Sequence, residues 1–299
     1  MDYPHSGLSQ YEEQLPYPSN VGDEETWPSN AFRDQVDLYY SAQLFLRKRL
    51  NTIHRNLYSP QVSLKTGSEM EFYLLDNEET IIQWRNIKSP INSVWNEDDP
   101  PSEDILIARL RAKYYGAWYV CTRPYLDYAL HVMDKYRAGV KLEKATVDAK
   151  GNPRPSELAL FRGISRMEEW RIKDKARLCV RMAIRSTEAL DAVPERLIVT
   201  NIMGTAHAQF GNMLVLSAVW HSQVAWLADL INERKLRELF CRTVKFLRRL
   251  RYCSRTAMAD VEILQTIHRS LFGYSVSIDE GRRSEVPNMP FTSSFSSDL

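Results

Sequence analysis

Glycine, clustered cysteine and net charge are all scarce in this sequence. Of its 299 residues, 11 are glycine. That is too few for the positive-φ turns of an all-β fold or for glycine-rich phosphate loops. The formal charge of +1 argues against nucleic-acid binding through bulk electrostatics. The four cysteines, Cys121, Cys179, Cys241 and Cys253, form no C-x-x-C pair for zinc or redox chemistry. Each sits in an apolar or helical context, as expected of reduced thiols in an intracellular protein. No G-x-G-x-x-G, Walker phosphate loop, G-x-S-x-G elbow or H-E-x-x-H occurs. The six histidines never pair on one helix at metal-ligand spacing with a second ligand. The first residues carry no early Lys or Arg and no apolar run, so neither a secretory signal nor an Arg-rich transit peptide is expected.

What remains is a composition suited to a packed core, 44% hydrophobic and 26% charged. The patterning is helical throughout, with no convincing strand and no fixed repeat. Residues 1–28 are acidic and Pro/Ser-rich and read as a flexible lead-in. Residues 275–299 read as a flexible tail, leaving 29–274 as one helical domain. The spacing predicts a first helix from Asn30 to Ser59-Pro60, with a seam through Val36, Tyr39, Gln43, Leu46, Leu50, Ile53 and Leu57. A second helix is expected from a Ser68–Glu71 capping box to about Lys88. Residues 102–136 should form a third, apolar nearly all round, whose only charges between Ile105 and Met133 are Arg109, Arg111, Lys113, Arg123 and Asp127. Such a helix belongs in the middle of a bundle, and Pro124 should kink it. Residues 137–155 read as a loop, followed by a helix from a Ser165–Glu168 capping box to Pro194. Residues 197–228 contain no Asp, Glu, Lys or Arg. Interruptions such as Asn201, Gln209 and Asn212 favour a buried helix over a membrane span. Gly204, Ala208 and Gly211 share one side of it, where a neighbouring backbone could approach closely. Two amphipathic helices, 232–252 and 255–272, follow, the last closed by Gly273. The expected fold is therefore an all-α, multi-helix bundle with central buried helices.

Few residues suggest chemistry. Glu97-Asp98-Asp99 is followed by two prolines, so its carboxylates lie in a loop rather than one helical turn apart. They read as helix-start charge, not a magnesium site. His207 reads first as a hydrogen-bonded core histidine and second as a ligand contact or base. Arg123 reads first as the partner of a carboxylate on another helix. Tyr114, Tyr115, Trp118 and Tyr119 read first as core and second as the lining of a small-molecule pocket. If an effector pocket exists, Tyr115, Trp118, Tyr119, Arg123 and His207 are its candidates. The run Lys245 to Arg251 reads as a solvated helix face, and Arg47-Lys48-Arg49 is too short to establish nuclear import.

One resemblance adds to this. The segment ARLRAKYYGAWYVCTRPYLDYALH (108–131) resembles the signature helix of the fungal-specific transcription factor domain. That domain is the regulatory middle region of fungal zinc binuclear cluster activators. NEDDPPSEDILIARLRAKYYG before it, PERLIVTNIMGTAHAQFGNMLVLSAVW (194–220) after it and LRKRLNTIHRNLY (46–58) are similar to the same group in order and spacing. The resemblance spans roughly residues 30–270. It implies an all-helical regulatory domain, residence in the nucleus and control of RNA polymerase II transcription. It implies no catalytic residue, hence no enzyme. The implied partner is a small-molecule effector or a transcription-machinery protein, with a homodimer as a further option and no membrane. The family's six-cysteine zinc cluster is missing, so no cofactor is expected here. DNA would be reached only through a module absent from this sequence. The chain then reads as a regulatory portion, a truncated product or a partial gene model. The alternative is a helical small-molecule binder or enzyme with a pocket near His207.

Overall fold

The structure is a computed structural model and describes residues 30–88, 95–193, 202–274 and 276. The lead-in and all of the tail except Val276 and the segment 194–201 lie outside the described residues; Val276 itself is buried. The described residues form the expected all-α architecture, with no strand and one isolated antiparallel bridge between Val147 and Pro153. No described helix is long and apolar enough to cross a membrane.

Helix α1 (Asn30–Tyr58) stops where Ser59-Pro60 opens a 3-10 turn. Its seam is as the spacing predicts, with Tyr39, Gln43, Leu46, Ile53 and Leu57 buried. Helix α2 (Gly67–Gln83) starts two residues earlier than expected. The capping box is Thr66–Glu69, not Ser68–Glu71. The Thr66 hydroxyl accepts from the Glu69 amide at 3.2 Å, and the Glu69 carboxylate accepts from the Thr66 amide at 2.8 Å. Both pairs have the right spacing, but only the upstream one lets Lys65 join Glu69 at 3.3 Å. α2 runs on into a π-helical turn, Trp84–Lys88.

Helix α3 (Ile105–His131) is capped by Asp104, whose carboxylate accepts from the Leu106 amide at 2.7 Å. It ends earlier than position 136, because Val132 leaves helical geometry before a one-turn helix, α4 (Met133–Arg137). The expected loop over 137–155 holds a second short helix, α5 (Leu142–Ala145). An unanticipated helix, α6 (Pro155–Ile164), follows. Pro155 ends the stretch that reads as a loop, yet proline at the first helical position is also a start signal. Ser165 therefore ends α6, donating its hydroxyl to the Arg162 carbonyl at 3.2 Å, and caps nothing. Helix α7 (Glu169–Glu188) begins instead after Glu168, which makes no side-chain cap bond. Helix α8 (Ile202–Ser222), α9 (Glu233–Arg248) and α10 (Arg255–Phe272) complete the described chain. Asn232 and Ser254 cap α9 and α10, and Gly273 closes α10 at φ +82°, a conformation that favours glycine.

Helix α3 is the axis. Its principal neighbour is α7, with α1 on another flank and α2, α6 and an edge of α8 around it. Gly163 lets α6 lie on α2: a Cβ there would stand 2.8 Å from the Glu71 amide nitrogen. Helices α8, α9 and α10 pack on one another, and α8 joins them to α7. The uncharged helix is thus only half-buried. Ala206, Gln209, Asn212, Met213 and Leu216 face inward, while Met203, Gly204, His207, Ala208, Leu214 and His221 are exposed.

Pro124 lies inside α3 and has no N–H to offer the Val120 carbonyl. The Tyr58 hydroxyl at the end of α1 donates to that oxygen at 2.6 Å. Tyr58→Phe should therefore cost about 1–3 kcal/mol, the penalty for an unsatisfied buried acceptor. The same change made beside Pro124→Ala should cost less, because the new backbone N–H can serve Val120. Urea unfolding of the two single variants and the double variant checks this. Equal cost of Tyr58→Phe in both backgrounds would sink the assignment.

Candidate functional site

Three helices meet where Tyr58 of α1, Arg123 of α3 and Gly211 of α8 come together. The Arg123 guanidinium stacks over the Tyr58 ring, 4.6 Å from its centroid. Tyr119, one turn before Arg123, donates its hydroxyl to the Gly211 carbonyl at 3.2 Å. A Cβ on Gly211 would lie 3.9 Å from that hydroxyl oxygen, ordinary contact. Burial pushes the Tyr119 phenol up to about 12, so it donates as a neutral hydroxyl.

The five sequence candidates do not share a pocket. Tyr119 and Arg123 meet at this junction. Tyr115 points elsewhere on the same stripe, packed edge-on against Trp95 at 6.3 Å and 1% exposed. Its hydroxyl lies 3.5 Å from Arg111, which in turn donates to the carbonyls of Pro100 and Asp99 at 2.7 and 2.8 Å. Trp118 is buried beneath the ammonium of Lys175, 5.6 Å from its ring. The aromatic rings are core, as their first reading had it. His207 is exposed on the first half of α8 and is not a core histidine. It lies on the side of α8 near Asp260 of α10, away from the α3 aromatics. Arg123 has no carboxylate partner among the described residues, contrary to expectation. Its neighbours are aromatic because α1 and α8 bring no acid to this corner.

The densest buried ionisable cluster escaped the sequence reading. Glu78 on α2 is 3% exposed. It accepts from the Tyr125 hydroxyl at 2.7 Å and pairs with Lys175 at 2.9 Å and Arg171 at 3.5 Å. Burial and the Glu78 charge hold the Tyr125 phenol well above its ordinary range. Cys121 and Cys179 lie nearby, their thiols raised chiefly by burial, Cys179 to about 12. Glu78 and Tyr125 face inward and Lys175 covers them, while Arg171 reaches in from a partly exposed position; together they form an internal clamp. Helical spacing could have put Glu78 on the inner face of α2 beside Leu74 and Ile81, but charge at a core position gives no partner from sequence alone.

A second feature missed at first is a line of cations between α1 and α3. The two helices run in the same direction there. Gln43 meets Arg109 and Lys113, and Tyr58 meets Val120. Arg109 donates to the Gln43 side-chain oxygen at 3.3 Å, and Lys113 donates to the Gln43 carbonyl at 3.3 Å. Desolvation, then the charges of Arg47 and Arg109, bring the Lys113 ammonium down from 10.5 to about 8. His54 lies between Arg47 and Arg123; partial desolvation and those two charges lower its imidazole. The acidic run lies in an exposed loop before α3, as its prolines suggest, and from there Asp98 pairs with Arg185 of α7 at 3.0 Å and Glu97 with Arg181 at 4.0 Å. Among the described residues no group of three His, Cys, Asp or Glu is placed to hold a metal. The basic run at the end of α9 turns Lys245 and Arg249 outward and buries Phe246 and Leu247, as its spacing predicts.

No protein-family model matches the sequence, and no curated protein and no solved structure matches the chain.

Lys113 has a lowered native pKa, so its charged form is disfavoured by folding. That penalty is fully present below pH 8 and disappears as pH rises from about 8 to 10.5. Lys113→Met should therefore stabilise the protein at pH 7 and lose that advantage above pH 10.5. Competitive acetylation at pH 8 should also label Lys113 ahead of exposed lysines such as Lys135 and Lys150. Labelling at the rate of those lysines would rule the depressed value out.

Proposed function

We infer that this chain is a helical regulatory module of the fungal zinc-cluster transcription factor kind. It acts in the nucleus on RNA polymerase II transcription and leaves DNA reading to a zinc-cluster module this sequence does not contain. The reading is supported by where the family-like segments fall. Residues 46–58 lie on α1, 108–131 form most of α3, and 202–220 lie on α8. These three are joined through Tyr58–Val120 and Tyr119–Gly211. The segments that carry the resemblance are thus one packed unit rather than scattered matches, and this observation carries the proposal.

The chemistry of that unit fits binding better than turnover. The Tyr58 and Tyr119 hydroxyls are spent on backbone carbonyls, and the Tyr125 hydroxyl is spent on Glu78 of the neighbouring α2, which Lys175 and Arg171 also engage. A regulator needs a partner that prefers one of two conformations of the module, and the partner is a small-molecule effector or a protein of the transcription machinery. A second copy of the chain is a further partner to be scored by sedimentation.

The test is a reporter assay. The chain is placed between a heterologous DNA-binding domain and an activation domain in a fungal host. Output should differ by about tenfold or more from the same fusion without the chain, a coupling of normal allosteric size. Output within twofold of that control, both with the activation domain and without it, would remove the regulatory reading.

A further inference from the structure

We propose that the aromatic box between the π-helical turn after α2 and the first half of α3 binds one chloride-sized anion, held by N–H groups of Trp84, Arg85, Trp95 and Arg111. The starting point is a set of buried donors that lack an acceptor. Trp84 Nε1, Trp95 Nε1, Arg111 Nε and one terminal nitrogen of Arg85 are shielded from solvent and have no hydrogen-bond partner. Trp84, Trp95 and Arg111 are buried as whole side chains, and Arg85 is half-buried. An unpaired buried donor costs free energy, so folded proteins pair nearly all of them. The other such atoms are dispersed over α1, α2, α7, α8 and α9. In this box they gather, and every one is a donor.

Ring contacts bring the four residues together. The Trp84 and Trp95 rings each lie 5.6 Å from the Tyr114 ring. The Arg85 guanidinium stacks on two of these rings, 4.4 Å from the centre of Trp95 and 5.1 Å from that of Tyr114. Arg111 approaches the same Trp95 ring at 5.8 Å. Its terminal nitrogens are committed to the carbonyls of Pro100 and Asp99 and to the Tyr115 hydroxyl, which leaves Nε over.

The box also lacks negative charge. Two guanidinium ions touch one indole ring, and neither has a carboxylate partner among the described residues. The neighbouring acids are engaged elsewhere. Glu97, whose charge reaches Tyr114, pairs with Arg181 at 4.0 Å, and Asp98 pairs with Arg185 at 3.0 Å. The Asp99 carboxylate accepts from the Asn96 amide, Asp104 caps α3, and Glu103 is exposed. On α2, Glu78 serves Tyr125 and the α7 cations. One bound anion supplies the missing acceptor and the missing counter-charge together. Size selects the ion. The donors lie beneath solvent reach among packed rings, so a phosphate ester or nucleotide is too large. Water fits but accepts only two hydrogen bonds and brings no charge, whereas a halide accepts from any direction. The inference goes beyond the regulatory reading and does not depend on it.

The experiment titrates the full chain with sodium bromide, replacing sodium methanesulfonate at fixed ionic strength. Bromide quenches indole fluorescence on contact, and the box holds two of the seven tryptophans. Quenching should rise to a plateau at millimolar bromide, chloride should compete for the same site, and the unfolding midpoint should rise in step. Arg85→Gln, which removes the charge, should weaken binding about tenfold or more. Trp95→Phe should remove most of the saturable quenching, while Arg249→Gln on exposed α9 should change nothing. Circular dichroism verifies that each variant is folded. If a variant fails that check, the plateau and the chloride competition in the unaltered chain decide alone. Quenching that climbs linearly with no shift of the midpoint overturns the proposal and leaves the box to water. Equal titrations of Arg85→Gln and the unaltered chain overturn it too. So does a larger midpoint rise with acetate than with chloride, which would make the occupant a carboxylate.

Discussion

A proline sits in the middle of the most buried helix, and the chain beside it must supply the missing donor. In α3 the Val120 carbonyl loses its intrahelical partner at Pro124, and a partly buried carbonyl needs another donor. Tyr58 meets the need, and it can do so only if the end of α1 lies against the middle of α3. That one bond sets the register of the two helices. It carries Gln43 to Arg109 and Lys113 at one end, and holds the Tyr58 ring under Arg123 at the other. The junction with α8 follows, because Tyr119, on the same stripe of α3, is then free to bond Gly211.

Electrostatics divides the molecule in two. The α7 side is laced with ion pairs to α2, to the loop before α3 and to the start of α9, several of them exposed and individually weak. On the α1–α3 side, Arg47, Lys113 and Arg123 have no carboxylate within ion-pair distance among the described residues. A chain with almost no net charge can therefore still gather unpaired cations locally, and total charge alone conceals it. The uncharged α8 borders this side and shows solvent a mixture of small and apolar residues with two histidines.

Much of the fold was legible because helical periodicity survives in the seams of α1, α7 and α10. The boundaries were less so. Thr66 and Ser68 each head a valid capping pattern, and nothing local ranks them. Pro155 served equally as loop marker and helix opener, and the wrong choice erased α6 and shifted the start of α7 from Glu169 to Ser165. The uncharged character of α8 suggested full burial, but absence of charge does not specify a face; its hydrophobic residues are spread all round. The candidate site was legible only in part. Tyr119 and Arg123 were found, whereas His207 was drawn in by its uncharged neighbourhood although it lies toward α10. The row from Arg109 to Arg123 was visible as a run of cations with no acid. Its partner row on α1 needed three-dimensional register, which no spacing rule supplies.

Glu78 has a consequence for how the molecule comes apart. One carboxylate on α2 holds a hydroxyl of α3 and two cations of α7, so separating any of the three helices strands a buried charge. Amide hydrogens of α2, α3 and α7 are thus coupled into one opening unit, exchanging together at the slowest rate. Helices α8 to α10, which hold no share of that carboxylate, can fray or detach as a separate subunit of motion.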